Sequence, residues 1–257
     1  GILGRIPIGR DHDKDLYRLT HITGAPAQII DSRWSTFGRT DLVRFAGDTS
    51  AMSIFIDGAA GASMLRFDGT FDDSSASFVA ATLQFGGMIP LLNLEPHQKN
   101  NALIIGPGGG RDVLLALNAG FENITAVEIN PQMVDIVREY SGYNGGIYSD
   151  FDNVNVLVAE GRDFLRHSDE KYDLIMLFMP ITKSSRSANA FALSENYLFT
   201  QEAFNDYHDH LTDEGSLLIM GHGMPEIAKM MTTALGALQA NGMPVEQAMD
   251  HVYILGS

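Results

Sequence analysis

Residues 102–115 read ALIIGPGGGRDVLL, and this segment decides the fold of the chain. An apolar run that ends in clustered glycines and continues into helix-forming residues is typical of a strand, a tight turn and a helix N-terminus. Residues 127–131, VEINP, place an acid at the end of the next predicted strand. Together the two segments predict a site for a nucleoside cofactor.

The residue types at this turn suit such a ligand. Gly106, Gly108 and Gly110 have no side chain, so the backbone can adopt positive φ and a ligand can approach it closely. Glu128 offers two oxygen acceptors to ribose hydroxyls and lies 22 residues after Gly106. Sites for NAD and for S-adenosylmethionine both place an acid at about this distance, so the spacing does not choose between the two cofactors.

Predicted strands and helices alternate from residue 101 onward. Strands are predicted at 102–106, 124–129, 154–159, 173–179, 216–221 and 251–256, and helices at 111–118, 131–140, 161–166, 200–211 and 225–241. This alternation predicts an α/β fold with a Rossmann-like, doubly wound and mostly parallel sheet. Asn130 before Pro131 indicates a helix start, and Gly120 indicates a helix end.

The segment before the glycine turn has a different pattern. Short β-rich runs separated by glycines predict hairpins of a small antiparallel sheet, at residues 29–30, 41–45, 53–56 and 63–67. Apolar residues at helical spacing over 74–93 predict a linking helix that ends near Pro90. We therefore predict a lead-in and small β-domain over 1–73, a linking helix within 74–100 and a Rossmann-like cofactor-binding domain over 101–257.

Composition limits the partners. The 257 residues are 45% hydrophobic, enough to bury a full core. The net charge of −15 repels phosphate backbones, so we expect no nucleic-acid partner and a neutral or cationic small-molecule substrate. The chain has no cysteine, no signal-peptide pattern and no apolar run of the length of a membrane span. We expect a cytoplasmic location, where the cofactor is made.

Several other chemistries lack their sequence signals. His208 and His210 are two residues apart on a predicted helix and point to different faces, so we predict no metal site. The chain contains no Gly-x-Ser-x-Gly elbow and no phosphate-loop lysine. Hydrolase and NTPase functions therefore lose their main support.

Five segments in order resemble the spermidine synthase-like (polyamine aminopropyltransferase-like) family, a branch of the class I S-adenosylmethionine-dependent transferases. They are LIIGPGGGRD at 103–112, VEIN at 127–130, EGRDFL at 160–165, YDLI at 172–175 and ENYLFTQEAF at 195–204. Upstream, QIIDS at 28–32 and IDG at 56–58 resemble the amino-terminal β-domain of that family. The resemblance implies a sheet of the class I methyltransferase type and S-adenosylmethionine, or its decarboxylated form, as cofactor.

The resemblance also implies cofactor contacts outside the glycine turn. Glu160 and Gly161 would lie beside the adenine edge, where a carboxylate can accept a hydrogen bond from the exocyclic amine. Gln28 would reach the cofactor from the β-domain. The predicted cofactor-binding set is Gln28, Gly106, Gly108, Gly110, Arg111, Asp112, Glu128, Ile129, Glu160 and Gly161.

One departure from the family lies in the glycine turn. Family members usually carry an aspartate there, which holds the amine of decarboxylated S-adenosylmethionine, and the matching residue here is Gly109. Arg111 follows the turn and could pair with a cofactor carboxylate, which favours intact S-adenosylmethionine. The alternative is that Arg111 lies on the helix surface.

A second departure lies at the end of the fourth predicted strand. The family usually has an aspartate there that takes the proton from the attacking amine, whereas this chain has Phe178. Glu195, Tyr197 and Asp163 are the predicted replacements. The alternative for the first two is structural, with Glu195 capping a helix and Tyr197 packed as an aromatic residue.

Three functional classes remain open. The main prediction is a transferase that uses intact S-adenosylmethionine, by methyl transfer, by alkyl transfer or by an intramolecular reaction that releases methylthioadenosine. The alternatives are a conventional polyamine aminopropyltransferase using decarboxylated S-adenosylmethionine and a non-catalytic cofactor-binding module. We also consider a homodimer. Because residues 195–200 resemble family members fused to membrane segments, we further consider a soluble domain of a longer chain at the cytoplasmic face of a membrane.

Overall fold

The computed structural model describes residues 24–71, 86–178, 197–221 and 223–254, together with residues 16, 19 and 20. Four strands form an antiparallel sheet in chain order, namely β1 (Ala27–Ser35), β2 (Gly38–Phe45), β3 (Ala51–Ile56) and β4 (Ala59–Leu65). Five further strands are β5 (Asn101–Ile105), β6 (Asn123–Glu128), β7 (Val154–Val158), β8 (Tyr172–Phe178) and β9 (Leu211–Met220). They form a parallel sheet in the order β7-β6-β5-β8-β9. The predicted fold class is confirmed.

The helices follow local sequence signals. They are α1 (Ile89–Leu92), α2 (Arg111–Ala119), α3 (Pro131–Glu139), α4 (Ser141–Asn144), α5 (Gly161–Arg166), α6 (Gln201–Asp209), α7 (Met224–Ala240) and α8 (Val245–Met249). Asn130 caps α3 as predicted, because its side-chain oxygen accepts a hydrogen bond from the backbone N–H of Gln132. Gly120 ends α2 with a φ of 85°, a conformation that favours glycine.

Both faces of the central strands β5 and β8 are buried, and neighbouring residues of β5 belong to different cores. Ile104 packs in one core with α2, α3 and the antiparallel sheet, which contributes Leu42 and Met64. Leu103 points to the other face, whose core includes residues of α5, α6 and α7. Because side chains alternate along a strand, a sheet covered by helices on both faces needs apolar residues at consecutive positions, and β8 is buried at every one.

The strand order places a crevice at the glycine turn. From β5 the chain moves outward to β6 and β7, and then returns to place β8 on the other side of β5. In such sheets the connections after the two central strands leave on opposite faces, so a ligand crevice opens at their carboxyl ends. The glycine turn follows β5 directly and therefore lies at this crevice.

Some predicted boundaries were wrong. Over the described residues 251–254, the strand predicted at 251–256 does not form. The preceding residues form α8, a helix that was not predicted. The helix end predicted near Pro90 agrees with the structure, because α1 ends at Leu92; Pro90 lies in its first turn, where the missing N–H costs no hydrogen bond. Residues 72–85, which hold most of the predicted linking helix and its boundary with the β-domain, lie outside the described residues. The domain limits therefore stay a prediction.

Among the described helices, none combines the length and the apolar character needed to cross a membrane.

Candidate cofactor site

The glycine turn between β5 and α2 depends on left-handed backbone at three positions. The φ angles are 72° at Gly106, 56° at Gly108 and 91° at Gly110, a range that residues with a Cβ rarely adopt. A Cβ at Gly110 would also lie within 2.3 Å of the side chain of Ile147. Gly106 is partly exposed at the position where the sequence predicts a cofactor, whereas residues 107–110 are buried, with Gly108 and Gly109 packed against β4 and Gly110 against Ile147.

Glu128 lies at the end of β6 with 6% of its surface exposed. One carboxylate oxygen accepts a hydrogen bond from the backbone N–H of Gly108 at 3.2 Å, and the other accepts one from Asn130 at 2.9 Å. Burial raises the pKa of Glu128, and these backbone hydrogen bonds oppose the shift. The carboxylate is therefore fixed against the glycine turn, as an acid that binds ribose hydroxyls requires.

Two buried residues that sequence reasoning missed hold this arrangement. Tyr148 donates a hydrogen bond from its hydroxyl to the carbonyl oxygen of Gly108 at 3.0 Å. Thr40 of β2 accepts a hydrogen bond from the side-chain amide of Asn130 at 3.1 Å. The antiparallel sheet is thereby joined to the residue that also binds Glu128. Both contacts link positions far apart in the chain, so no local sequence signal indicates them.

The carboxyl ends of β6 and β7 also present apolar side chains to solvent. Ile129 is 39% exposed directly after β6, and Val158 is 50% exposed as the last residue of β7. Exposed aliphatic side chains beside the predicted ribose-binding acid would suit the faces of an adenine ring. Ile129 belongs to the predicted set, whereas Val158 does not.

Glu160 and Gly161 lie where the resemblance implies, after β7. The carboxylate of Glu160 caps α5 and accepts hydrogen bonds from the backbone N–H groups of Arg162 at 3.3 Å and Asp163 at 2.7 Å. Gly161 packs so closely on β5 that a Cβ would lie 2.3 Å from the side chain of Ile105. The cap fixes the Glu160 carboxylate at the edge of the site, and its contact with adenine stays a prediction.

Arg111 and Asp112 begin α2 directly after the turn, and both are substantially buried. Burial lowers the pKa of Arg111, while the charge of Asp112 opposes that shift. Burial raises the pKa of Asp112 to about 8, and the charge of Arg111 only partly opposes it. Burial therefore disfavours the charged form of both side chains in this first turn of α2, next to the candidate cofactor site.

A family model for the spermine/spermidine synthase domain matches residues 87–252. The chain belongs to this family. It is 28% identical over 138 residues to the polyamine aminopropyltransferase of Thermoplasma acidophilum, covering 54% of this chain and 46% of that protein. With the polyamine aminopropyltransferase of Clostridium beijerinckii it shares 33% identity over 132 residues, covering 51% of this chain and 42% of that protein. The matched region spans less than half the length of each relative.

Solved structures agree on the fold. The spermidine synthase from Thermotoga maritima superposes with a TM-score of 0.56 at 17% identity, covering 83% of this chain and 64% of that one. A probable spermidine synthase from Corynebacterium glutamicum gives a TM-score of 0.57 at 14% identity, covering 82% and 71%. At these identities the likeness supports the fold of the family and no detail of the reaction.

The first departure from the spermidine synthase pattern, Gly109, has a structural cause. A Cβ at this position would lie 2.4 Å from the carbonyl oxygen of Ser63 and 2.8 Å from the backbone nitrogen of Met64. Both atoms belong to β4, so the antiparallel sheet closes the space that a side chain at Gly109 would occupy. The family aspartate therefore does not fit this backbone.

The second departure, Phe178, ends β8 with 6% of its surface exposed and belongs to the core shared with the antiparallel sheet. This chain therefore has no carboxylate at the position where the family usually has an aspartate. Asp173, at the start of the same strand, does not replace it, because its carboxylate accepts hydrogen bonds from the backbone of Asn100 and Asn101 and from the hydroxyl of Thr212. Asp173 therefore connects the amino-terminal ends of β5, β8 and β9, at the opposite end of the sheet from the glycine turn.

The predicted catalytic residues separate into three cases. Glu195 lies outside the described residues. Asp163 has a side chain 68% exposed on α5, beside His167, and none of the described contacts brings it to Glu128 or the glycine turn. Tyr197 stands beside α5, and the guanidinium of Arg162 lies 4.3 Å above its ring. Their roles in a reaction stay predictions.

Arg162 holds Tyr197 in place, and the sequence analysis did not predict this role. It is 6% exposed, and its Nε donates a hydrogen bond to Asp206 of α6 at 2.5 Å. Its Nη1 donates another to the carbonyl oxygen of Tyr197 at 3.2 Å. A buried arginine with these partners fixes Tyr197 relative to α5 and α6.

Gln28 is not brought to the glycine turn. It is an exposed residue of β1, an edge strand of the antiparallel sheet, whereas β4 at the opposite edge contacts Gly109. The predicted contact of Gln28 with the cofactor therefore has no support from this geometry. Within the described residues, no group of three or more histidine, aspartate or glutamate side chains is placed to hold a metal ion.

Proposed function

We propose that this chain binds the adenosine part of S-adenosylmethionine, or of its decarboxylated form, at the carboxyl ends of β5, β6 and β7. The observation that carries the proposal is Glu128, a buried carboxylate held by backbone N–H groups on both oxygens. Each oxygen retains acceptor capacity for a ribose hydroxyl. Gly106, which is partly exposed and has no side chain, suits the approach of the sugar, and the exposed side chains of Ile129 and Val158 suit the adenine faces.

For the reaction we propose aminopropyl transfer from the decarboxylated cofactor to a polyamine, a choice supported by the family and by the names of the relatives. An amine nitrogen attacks the methylene carbon bonded to the sulfonium, and the carbon–sulfur bond breaks with its electron pair left on sulfur. Methylthioadenosine leaves, and the new ammonium releases a proton. The net charge of −15 favours a cationic acceptor over an anionic one.

The proton needs an acceptor other than residue 178, and we propose Tyr197 or Glu195. Tyr197 is held by Arg162, whose buried guanidinium contacts both its ring and its carbonyl oxygen. A side chain fixed in this way can act on a bound amine without losing further conformational freedom. Glu195, the other residue that the sequence predicts as a replacement for the base, lies outside the described residues.

A second candidate, transfer from intact S-adenosylmethionine, is favoured by one observation. The residue that would hold the amine of the decarboxylated form is absent, and β4 closes its space at Gly109. Arg111, which follows the turn, offers a positive charge to the carboxylate of the intact cofactor. The names of the relatives do not support this candidate.

Product analysis separates the candidates. The purified chain is incubated with intact or decarboxylated S-adenosylmethionine and a polyamine mixture, and the nucleoside product is identified by mass spectrometry. We expect methylthioadenosine from the decarboxylated form. Nucleoside product from the intact form alone would contradict aminopropyl transfer and favour the second candidate, and tight binding with no product from either would indicate a binding module.

The site itself is tested by the variant Glu128→Gln. Loss of the charged acceptor should weaken methylthioadenosine binding, measured by calorimetry, by roughly 10- to 100-fold. Glu122→Gln, an exposed residue just before the opposite end of the same strand, is the matched control and should leave the affinity unchanged. Equal affinity in Glu128→Gln and the wild type would place the nucleoside elsewhere.

A further inference from the structure

Arg162 connects two parts of the molecule that are far apart in sequence. Its backbone belongs to the first turn of α5, directly after Glu160. Its buried side chain reaches the segment that leads into α6, where Nε donates to Asp206 and Nη1 donates to the carbonyl oxygen of Tyr197. The guanidinium also lies over the ring of Tyr197. One residue thus bonds both the end of β7 and the start of α6.

The first turn of α5 is fixed against the parallel sheet. The backbone N–H of Arg162 donates to the Glu160 carboxylate at 3.3 Å, and that of the next residue donates at 2.7 Å. A Cβ at Gly161 would lie 2.3 Å from the side chain of Ile105 in β5, so the helix has no room to move closer. Leu165 is fully buried in the core that contains Ile105. The backbone of Arg162 is therefore held by the same turn that holds Glu160.

The contacts of α5 with Tyr197 differ in their exposure to water. An interaction with Tyr197 raises the pKa of Arg166, one turn after Arg162, but Arg166 is exposed and water can replace that contact. The guanidinium of Arg162 is buried, so a lost contact leaves its charge without compensation from water. The placement of Tyr197 therefore depends mainly on Arg162.

This arrangement provides a route from one end of the site to the other. A ligand that contacts the Glu160 carboxylate would restrain the first turn of α5, and hence the backbone of Arg162. The guanidinium would then restrain Tyr197, because its planar fork bonds two partners at fixed positions. Coupling of this kind acts by reducing motion and requires no change in the average structure.

We propose that Arg162 is a positioning residue that links occupancy of the nucleoside site at Glu160 to the placement of Tyr197. The inference rests on the proposed function and deepens it, because Tyr197 is one of the two residues proposed to accept the proton. A bound nucleoside would then order the acceptor side of the site before the amine reacts. Arg162 itself touches neither ligand and acts through its two neighbours.

Hydrogen exchange tests the link without turnover. The backbone amides of residues 198–206 are followed by mass spectrometry with and without methylthioadenosine. In the wild type we expect the nucleoside to slow their exchange by about threefold or more. In Arg162→Lys, methylthioadenosine should bind with an affinity within about twofold of the wild type, while the slowing is lost. Lysine keeps the charge but cannot bond Asp206 and Tyr197 together while covering the ring.

Turnover with decarboxylated S-adenosylmethionine and a polyamine provides a second readout. Arg162→Lys should lower kcat by about tenfold or more and leave KM for the nucleoside cofactor within about twofold. Tyr197→Leu removes the ring and the hydroxyl but keeps the backbone carbonyl. In a Tyr197→Leu background, Arg162→Lys should cost much less kcat than in the wild type, because two residues that act as a unit are not additive.

The controls separate positioning from a structural role. Arg44→Lys makes the same exchange at an exposed arginine of β2 and should change neither the slowing nor kcat. If Arg162→Lys fails to fold, Asp206→Asn replaces it, since it removes the charged partner of the guanidinium and should also weaken the slowing. A lower Tm with the slowing and kcat of the folded variant unchanged would overturn the proposal.

The outcomes also separate this proposal from the proposed function. Absence of methylthioadenosine binding to the wild type would overturn the nucleoside site and, with it, the link. A wild type that binds methylthioadenosine without any turnover would overturn the proposed reaction, while hydrogen exchange still decides the role of Arg162. Equal slowing in the wild type and in Arg162→Lys would overturn the link alone and leave the nucleoside site standing.

Discussion

The carboxyl ends of β5 and β6 differ in character from the carboxyl end of β8, although all three strands belong to one sheet. At β5 and β6, backbone N–H groups of Gly108 and Asn130 fix the buried carboxylate of Glu128. At β8, the strand ends on Phe178, which belongs to the core shared with the antiparallel sheet. Under the proposed function, the part of the fold that would recognise a nucleoside is kept while the part that would act on an amine has changed.

The largest effect is expected from Phe178→Asp, which places the family acid at the end of β8. A carboxylate in this apolar surrounding would lack partners, so we expect the free energy of unfolding to fall by about 3–5 kcal/mol. Urea denaturation of Phe178→Asp and of the control Phe178→Leu measures the cost of the charge beyond the lost aromatic packing.

The aspartate variant also tests whether the carboxyl end of β8 differs from those of β5 and β6 as described. If Phe178→Asp were as stable as Phe178→Leu and transferred aminopropyl groups faster than the wild type, the end of β8 would be an open reaction site. The contrast with β5 and β6 would then be wrong.

A smaller effect is expected from Gly109→Ala in the glycine turn. The added methyl group would meet the backbone of Ser63 and Met64, atoms that cannot turn aside as a flexible side chain can. We expect a loss of about 2–3 kcal/mol in the free energy of unfolding by urea denaturation. Gly142→Ala is the control, since a Cβ there has no neighbour within 4 Å and its φ is not positive, and it should cost little. Similar costs for the two variants would show that β4 does not close the turn.

Much of the fold was predictable because its signals are local. The parallel strands, the helices after the glycine turn, the cap at Asn130 and the stop at Gly120 follow from periodicity and from residues adjacent in sequence. The predicted strand at 251–256 failed because an apolar run of this length forms a strand only when a neighbouring strand pairs with it. Pairing of that kind is a tertiary property.

The site was predictable in part for the same reason. Glu128 and the glycines follow from spacing within one strand–turn–helix unit, and the structure places them together. Thr40, Tyr148 and Arg162 act across the sheets or between helices, through hydrogen bonds that join residues 35 to 90 positions apart. Partners of that kind are chosen by packing, so a single sequence does not reveal them.

The smallest effect is expected from Thr40→Val, which tests how firmly the antiparallel sheet supports the nucleoside end of the site. Valine keeps the volume of threonine but leaves the side-chain amide of the buried Asn130 without its acceptor, so we expect a loss of about 1 kcal/mol in the free energy of unfolding. Thr40→Ser is the control, because it keeps the hydroxyl and removes a methyl group. If the bond also orients Asn130 for its contact with Glu128, methylthioadenosine affinity should fall in Thr40→Val and hold in Thr40→Ser. Equal affinity and stability in the two variants would mean that the antiparallel sheet supports the nucleoside site through apolar packing, including that of Leu42 and Met64, rather than through this hydrogen bond.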